Sequence, residues 1–177
     1  SLASSRMCLM GEIVPGFTDM YLDERSFTAR YGISIDHRTV SEVLKRARDQ
    51  DKSKVSNTVK EMQREGKNRD VGSEGFERTA RVYLTLEEMA RENSYDVLAI
   101  RCWPDFQTEY QLSVCSVIGL LNQSNIATAC EADGVSAISM LLLNYLNGGQ
   151  STLTDLLVFD AEDESVLMWH CGPSPRS

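Results

Sequence analysis

Apolar positions follow two rhythms along this chain. Residues 7–10 and 97–102 are short continuous apolar runs, broken only by Arg101, as expected for strands of a parallel sheet covered on both faces. Residues 33–37 alternate as a strand should, and residues 125–130 form another strand built of small side chains. Between these runs the spacing becomes helical. Thr39 and Glu42 form a capping box that starts a helix carrying Val43, Leu44 and Ala47, and residues 26–30 make a shorter helix before it. Val55, Val59 and Met62 give a narrow stripe ending at Gly66, residues 67–75 read as a loop, and Phe76, Ala80, Tyr83 and Leu84 open a helix that runs to about Asn93.

Residues 111–121 read as a further helix. Residues 135–146 are apolar almost all round the helix, which predicts burial on several sides, and Gly148 and Gly149 end it. After them the rhythm changes. Residues 153–159 and 165–170 are strand-like and joined by the acidic turn 160–164, a hairpin. The pattern predicts an α/β domain over residues 1–148, Rossmann-like in the flavodoxin manner, with a parallel sheet and flanking helices. Residues 149–177 are expected to be the first hairpin of a β-rich C-terminal domain, cut short.

Charge narrows the function classes. With 18 Lys and Arg against 26 Asp and Glu, the net charge of −8 disfavours a nucleic-acid partner, and the basic stretch around residues 45–54 is interrupted by Asp49 and Asp51. No apolar run approaches a membrane span, so no membrane partner is expected. The five cysteines lack CxxC spacing and read as small buried side chains in a reducing, cytoplasmic setting. The chain has no initiator Met and stops soon after His170, so it is expected to be a piece of a longer protein and inactive by itself.

Candidate chemistry concentrates between residues 127 and 172. Asp155 follows Glu131 by 24 positions and His170 follows Asp155 by 15. Two carboxylates and an imidazole form an oxygen-rich ligand set that suits manganese, magnesium or cobalt better than a structural zinc. A Glu131 buried beside apolar neighbours favours a compensating cation. The residues alone leave a second reading of each: Asp155 as a turn or edge carboxylate, His170 as a core histidine between Trp169 and Cys171. Arg101 and Trp103 leave the end of a parallel strand, where the ligand crevice of an open α/β sheet lies, and Trp103 has a core alternative. His37 and the loop after Met10 occupy comparable positions, with capping and a plain turn as their alternatives.

From residue 100 onward the sequence resembles a known family. Arg101-Cys-Trp-Pro104, the helix with Cys115, Ala127-Thr-Ala-Cys-Glu-Ala-Asp133, the apolar helix from Gly134, Leu153-Thr-Asp155 and Trp169-His-Cys-Gly172 are similar to the L-fucose isomerase and L-arabinose isomerase family. Residues 7–93 match only in the general manner of that family's second α/β domain. The resemblance implies a metal-dependent aldose–ketose isomerase acting through a cis-enediol. Glu131 and Asp155 would bind Mn2+, or another divalent cation such as Co2+ or Mg2+, and handle the proton. His170 matches the placement of a metal histidine in arabinose isomerases, whereas fucose isomerases take theirs from late in the chain. Trp103 and Arg101 would face the sugar, and the full-length protein would be a homo-oligomer. A non-catalytic sugar-binding or regulatory protein on the same fold is the alternative, as is a metal-assisted hydrolase.

Overall fold

The computed structural model describes residues 2–65 and 72–175. Four parallel strands form one sheet: β1 (Arg6–Met10), β2 (Ser34–Arg38), β3 (Val97–Ile100) and β4 (Ala127–Ala129), in the order β2-β1-β3-β4. This is the doubly wound order expected of a flavodoxin-like sheet. Its direction of winding reverses between β1 and β3, the place where such sheets open a crevice at their carboxyl ends.

Side-chain alternation along each strand builds a layer on either face. Cys8, Met10, Leu98 and Ile100 point into a core with α2 (Val40–Arg48), α4 (Ser73–Asn93), α5 (Asp105–Tyr110) and α6 (Cys115–Gln123). Met7, Leu9, Val97, Ala99 and Ala127 point the other way, onto α7 (Gly134–Asn147), with Phe27 of α1 (Glu24–Tyr31) beside them. A satellite cluster of Val55, Met62, Phe76 and Ala80 seats α3 (Lys52–Glu65) on α4. The capping box at α2 is formed: Glu42 N donates to Thr39 Oγ1 at 3.2 Å and Thr39 N to Glu42 Oε2 at 2.9 Å.

Several expectations change. The strands after residues 97 and 125 are shorter than their apolar runs, because Arg101 and Cys130 already belong to the loops that leave the sheet. The helix expected over 111–121 starts later: α5, ahead of it, is capped by Gln111 with a left-handed φ of 51°, and α6 begins only at Cys115. α4 begins at Ser73, inside the stretch read as a loop, while residues 67–71 of that stretch lie outside the described residues. No described helix is long and apolar enough to cross a membrane.

The largest correction concerns α7. Ala137, Ile138, Met140 and Leu141 are buried on the sheet, but Val135, Leu142, Leu143, Tyr145 and Leu146 are exposed. Burial on several sides needs cover on several sides, and here only the sheet side provides it. The hairpin forms as expected, β5 (Asp155–Asp160) antiparallel to β6 (Ser165–Trp169), as a separate two-stranded sheet with both faces open to solvent.

Candidate active site at the carboxyl edge of the sheet

Glu131 is presented by a strained turn. Directly after β4 and Cys130, Glu131 and Ala132 both adopt left-handed backbone, at φ 63° and 57°. Two consecutive non-glycine residues in that region cost roughly 1–2 kcal/mol each. Surrounding bonds hold them there: Ala132 N donates to Ile100 O at 3.0 Å and Asp133 N to Cys130 O at 3.0 Å. Buried Asp133 then caps α7 by accepting from Ser136 N at 2.9 Å. The chain therefore reverses tightly at the sheet edge, leaving the Glu131 side chain half-buried in the crevice region.

His170 arrives from the other sheet. It follows the last residue of β6, and its placement depends on what comes next in the chain. Pro173 is buried, and its carbonyl accepts from Asn122 Nδ2 at 3.1 Å. The same buried Asn122 bonds both backbone groups of Thr128 in β4, donating to its O at 3.0 Å and accepting from its N at 2.8 Å. Gly119 makes the approach possible, because a Cβ there would lie 2.7 Å from Ser174 O. One polar side chain in an apolar helix thus ties β4, α6 and the end of the hairpin together.

Among the described residues, one group of ligand-capable atoms converges: Cys130, Glu131 and His170, all within 4.8 Å of one another. Asp155 stands outside this group, but its charge reaches it. Burial pushes the Glu131 carboxyl above its ordinary range; the imidazole of His170 opposes this, and Asp155, Asp133 and Asp19 reinforce it. Glu131 and His170 therefore meet, whereas Asp155 acts on Glu131 only through its charge.

Sulfur is the part of the site that the sequence reading missed. His170 Nδ1 accepts from Cys171 N at 2.8 Å, which places the proton of a neutral ring on Nε2, 3.1 Å from Cys130 Sγ. Cys130 in turn bonds Cys102, which also accepts from the backbone N–H of Glu131. The Cys102 bond, with burial adding to it, holds Cys130 protonated. A lowered thiol at Cys102 is the counterpart, set mainly by the bond from Cys130. The cysteines read as filler form a hydrogen-bonded string behind Glu131; only their proximity in the fold, not their spacing, shows it.

Arg101 and Trp103 stand at the end of β3 as expected, in different states. Trp103 is 50% exposed, so the core alternative does not hold. Arg101 pairs with Asp105 at 2.8 Å and its Nε donates to Trp103 O at 3.3 Å, so its guanidinium braces the loop that carries the tryptophan. Beside them a crevice of about 380 Å³ opens along the carboxyl ends of β1 and β2, lined among others by Gly11, Glu12, Tyr21, His37 and Ala132. His37 Nε2 lies 2.8 Å from Glu24 Oε2 at its rim.

Comparison with known proteins places this edge in context. No family model matches the chain. It is similar to curated sulfoquinovose isomerases. The protein from Clostridium sp. (strain MSTE9) is 29% identical over 184 residues, taking in 99% of this chain. Those from Alkalicoccus urumqiensis and Priestia aryabhattai are 28% and 27% identical over 96% and 100% of it. The chain spans about 40% of the length of these relatives. The similarity is thus to sugar isomerases, over the amino-terminal half as well as residues 100–172, and it does not single out the fucose or arabinose branch.

The donor set fits a divalent cation. A half-buried carboxylate with three acidic neighbours and one imidazole is short of positive charge. Glu131, His170 and Cys130 offer oxygen, nitrogen and sulfur to such an ion.

Proposed function

We propose that this chain forms part of a divalent-metal-dependent aldose–ketose isomerase that works through a cis-enediol. The observation that carries this is the meeting of Glu131 and His170 at the carboxyl edge of a doubly wound sheet, in a chain matched from end to end by sulfoquinovose isomerases. Mn2+ is the expected ion, with Co2+ or Mg2+ as substitutes, held by Glu131 and Asp155 and by His170 or a histidine elsewhere in the protein. When bound, the cation polarises the sugar carbonyl as a Lewis acid.

The side chains divide the proton work. Glu131, with acidity weakened by burial, takes the C2 proton of the ring-opened aldose and returns it at C1. Asp155, carried by the hairpin, shares the proton transfer as the second carboxylate. For His170 to act as a neutral ligand through Nε2, the ring must move its proton to Nδ1 and give up the bond from Cys171 N. Trp103 offers its exposed face to the sugar carbon skeleton, and Arg101 holds the tryptophan loop through Asp105. In the same reading, the hairpin opens a β-rich domain whose further strands cover its apolar faces, and the whole protein is a homo-oligomer.

Sulfoquinovose is the first substrate to try, with L-fucose and L-arabinose beside it. The full-length protein, given manganese, is expected to form the ketose and to stop when a chelator is added. Glu131→Gln is expected to lower turnover by about 10³-fold, in the range of a lost general base. Undiminished ketose formation by that variant, or indifference to the chelator, overturns the proposal.

A further inference from the structure

A second pair of sulfurs lies next to His170. Cys115 Sγ and Cys171 Sγ are 3.2 Å apart, one at the first residue of α6 and the other directly after His170. Both are free thiols. Their neighbourhood is held by contacts that do not involve sulfur: Asn122 to Pro173 O at 3.1 Å, Thr152 Oγ1 to Ser174 Oγ at 2.9 Å, and the close passage of Ser174 over Gly119. The two thiols are therefore kept together by the fold and are not brought together by chance rotation. Their exposures differ in a useful way, because Cys171 is open to solvent while Cys115 is buried behind it.

We propose that Cys115 and Cys171 are an oxidative modification site, a thiol pair that a small disulfide oxidant converts to an intramolecular disulfide. The exposed sulfur reacts first. The Cys171 sulfur attacks glutathione disulfide, forming a mixed disulfide and releasing one glutathione thiolate. The Cys115 sulfur then attacks the Cys171 sulfur, the Cys115–Cys171 bond forms, and the second glutathione leaves. The two thiol protons go to the two departing thiolates, so two cysteines are oxidised and one glutathione disulfide is reduced. The product fastens the chain after β6 to the start of α6. It closes a long loop that contains β4, α7 and the whole hairpin, and it fixes the backbone N–H that now holds His170 Nδ1. This inference does not depend on the isomerase reading.

The test is to incubate the full chain with excess glutathione disulfide and measure its intact mass and linked peptides. The expected product has lost two hydrogens, carries no glutathione, and yields a peptide pair joined through Cys115 and Cys171. Its Tm is expected to rise by about 10 °C and to return on reduction. Cys115→Ser should instead stop at a protein carrying one glutathione on Cys171, which shows the order of the two steps even if that variant is less stable. An unchanged mass, a link between Cys102 and Cys130 in place of the expected one, or stable glutathione on Cys171 with Cys115 intact overturns the proposal.

Discussion

The sheet and the hairpin are made of the same kinds of residue and stand in opposite surroundings. Leu98 and Ile100 in β3 are 1% and 0% exposed, whereas Leu157 and Phe159 in β5 are 53% and 74% exposed. Apolar strand composition is thus no measure of what a strand contributes; the cover it finds decides that. The candidate site draws on both regions. Glu131 is anchored by the sheet, while His170 and Asp155 belong to the exposed ribbon and are held through the few residues after it. Each part of this contrast can be tested.

The largest effect is expected on catalysis at the sheet side. Glu131→Gln should cost about 10³-fold in turnover while leaving the far-ultraviolet spectrum unchanged. If His170→Ala in the same protein costs as much or more, the ribbon carries the chemistry equally and the contrast fails for function. Next comes the core. Ile100→Ala removes a fully buried side chain from the layer under α6 and is expected to destabilise the chain by about 4 kcal/mol in denaturant unfolding. A loss below about 1 kcal/mol would show that the sheet is looser than its packing implies.

Asn122→Ala tests the link between the regions. It leaves both backbone groups of Thr128 and the Pro173 carbonyl without their partner, in a buried place, and should cost about 3 kcal/mol. It should also release the segment after the hairpin, read as faster amide exchange at residues 170–174 than in Ile100→Ala at matched stability. Equal exchange in the two variants would mean that Asn122 supports only the sheet.

Much of this was legible in the sequence, for identifiable reasons. Strand runs, the Thr39–Glu42 box and the glycine end of α7 are local signals, and they reappear as β1 to β4, the cap of α2 and the left-handed Gly148. Glu131 stood out because it ends a run of small residues. Two things were not legible. The outer face of α7 read as core, because apolar periodicity reports a need for cover and not whether this chain supplies it. The sulfur string was invisible, since Cys102, Cys130 and Cys171 meet only after β3, β4 and β6 converge, and widely spaced cysteines carry no motif. Asn122, an amide in a mainly apolar helix, was a hint of the tie to Pro173.

A smaller effect is expected at the ribbon itself. Phe159→Ser should change stability by no more than about 0.5 kcal/mol, because the ring is mostly in water already, and should raise solubility by breaking an exposed apolar face. A loss comparable to that of Ile100→Ala would overturn the contrast between the two sheets.

The subtlest test returns to Glu131 and uses stability in place of turnover. Its carboxyl is raised in the folded state, by burial first and by Asp155, Asp133 and Asp19 after it. A raised carboxyl binds its proton more tightly folded than unfolded, so below the ordinary value of 4.5 both states are protonated and no penalty exists. As pH rises through that value toward the folded one, the unfolded state ionises first and folding loses stability; above the folded value the penalty is complete. In chelator, Glu131→Gln should therefore match the parent in acid and have a higher Tm at neutral pH. Saturating Mn2+ should reverse the order at neutral pH, because only the parent carboxylate gains from the ion. A Tm difference that is the same at both pH values, or unchanged by Mn2+, would mean that the acidic neighbours of Glu131 do not act on it and that the sheet edge holds no cation there.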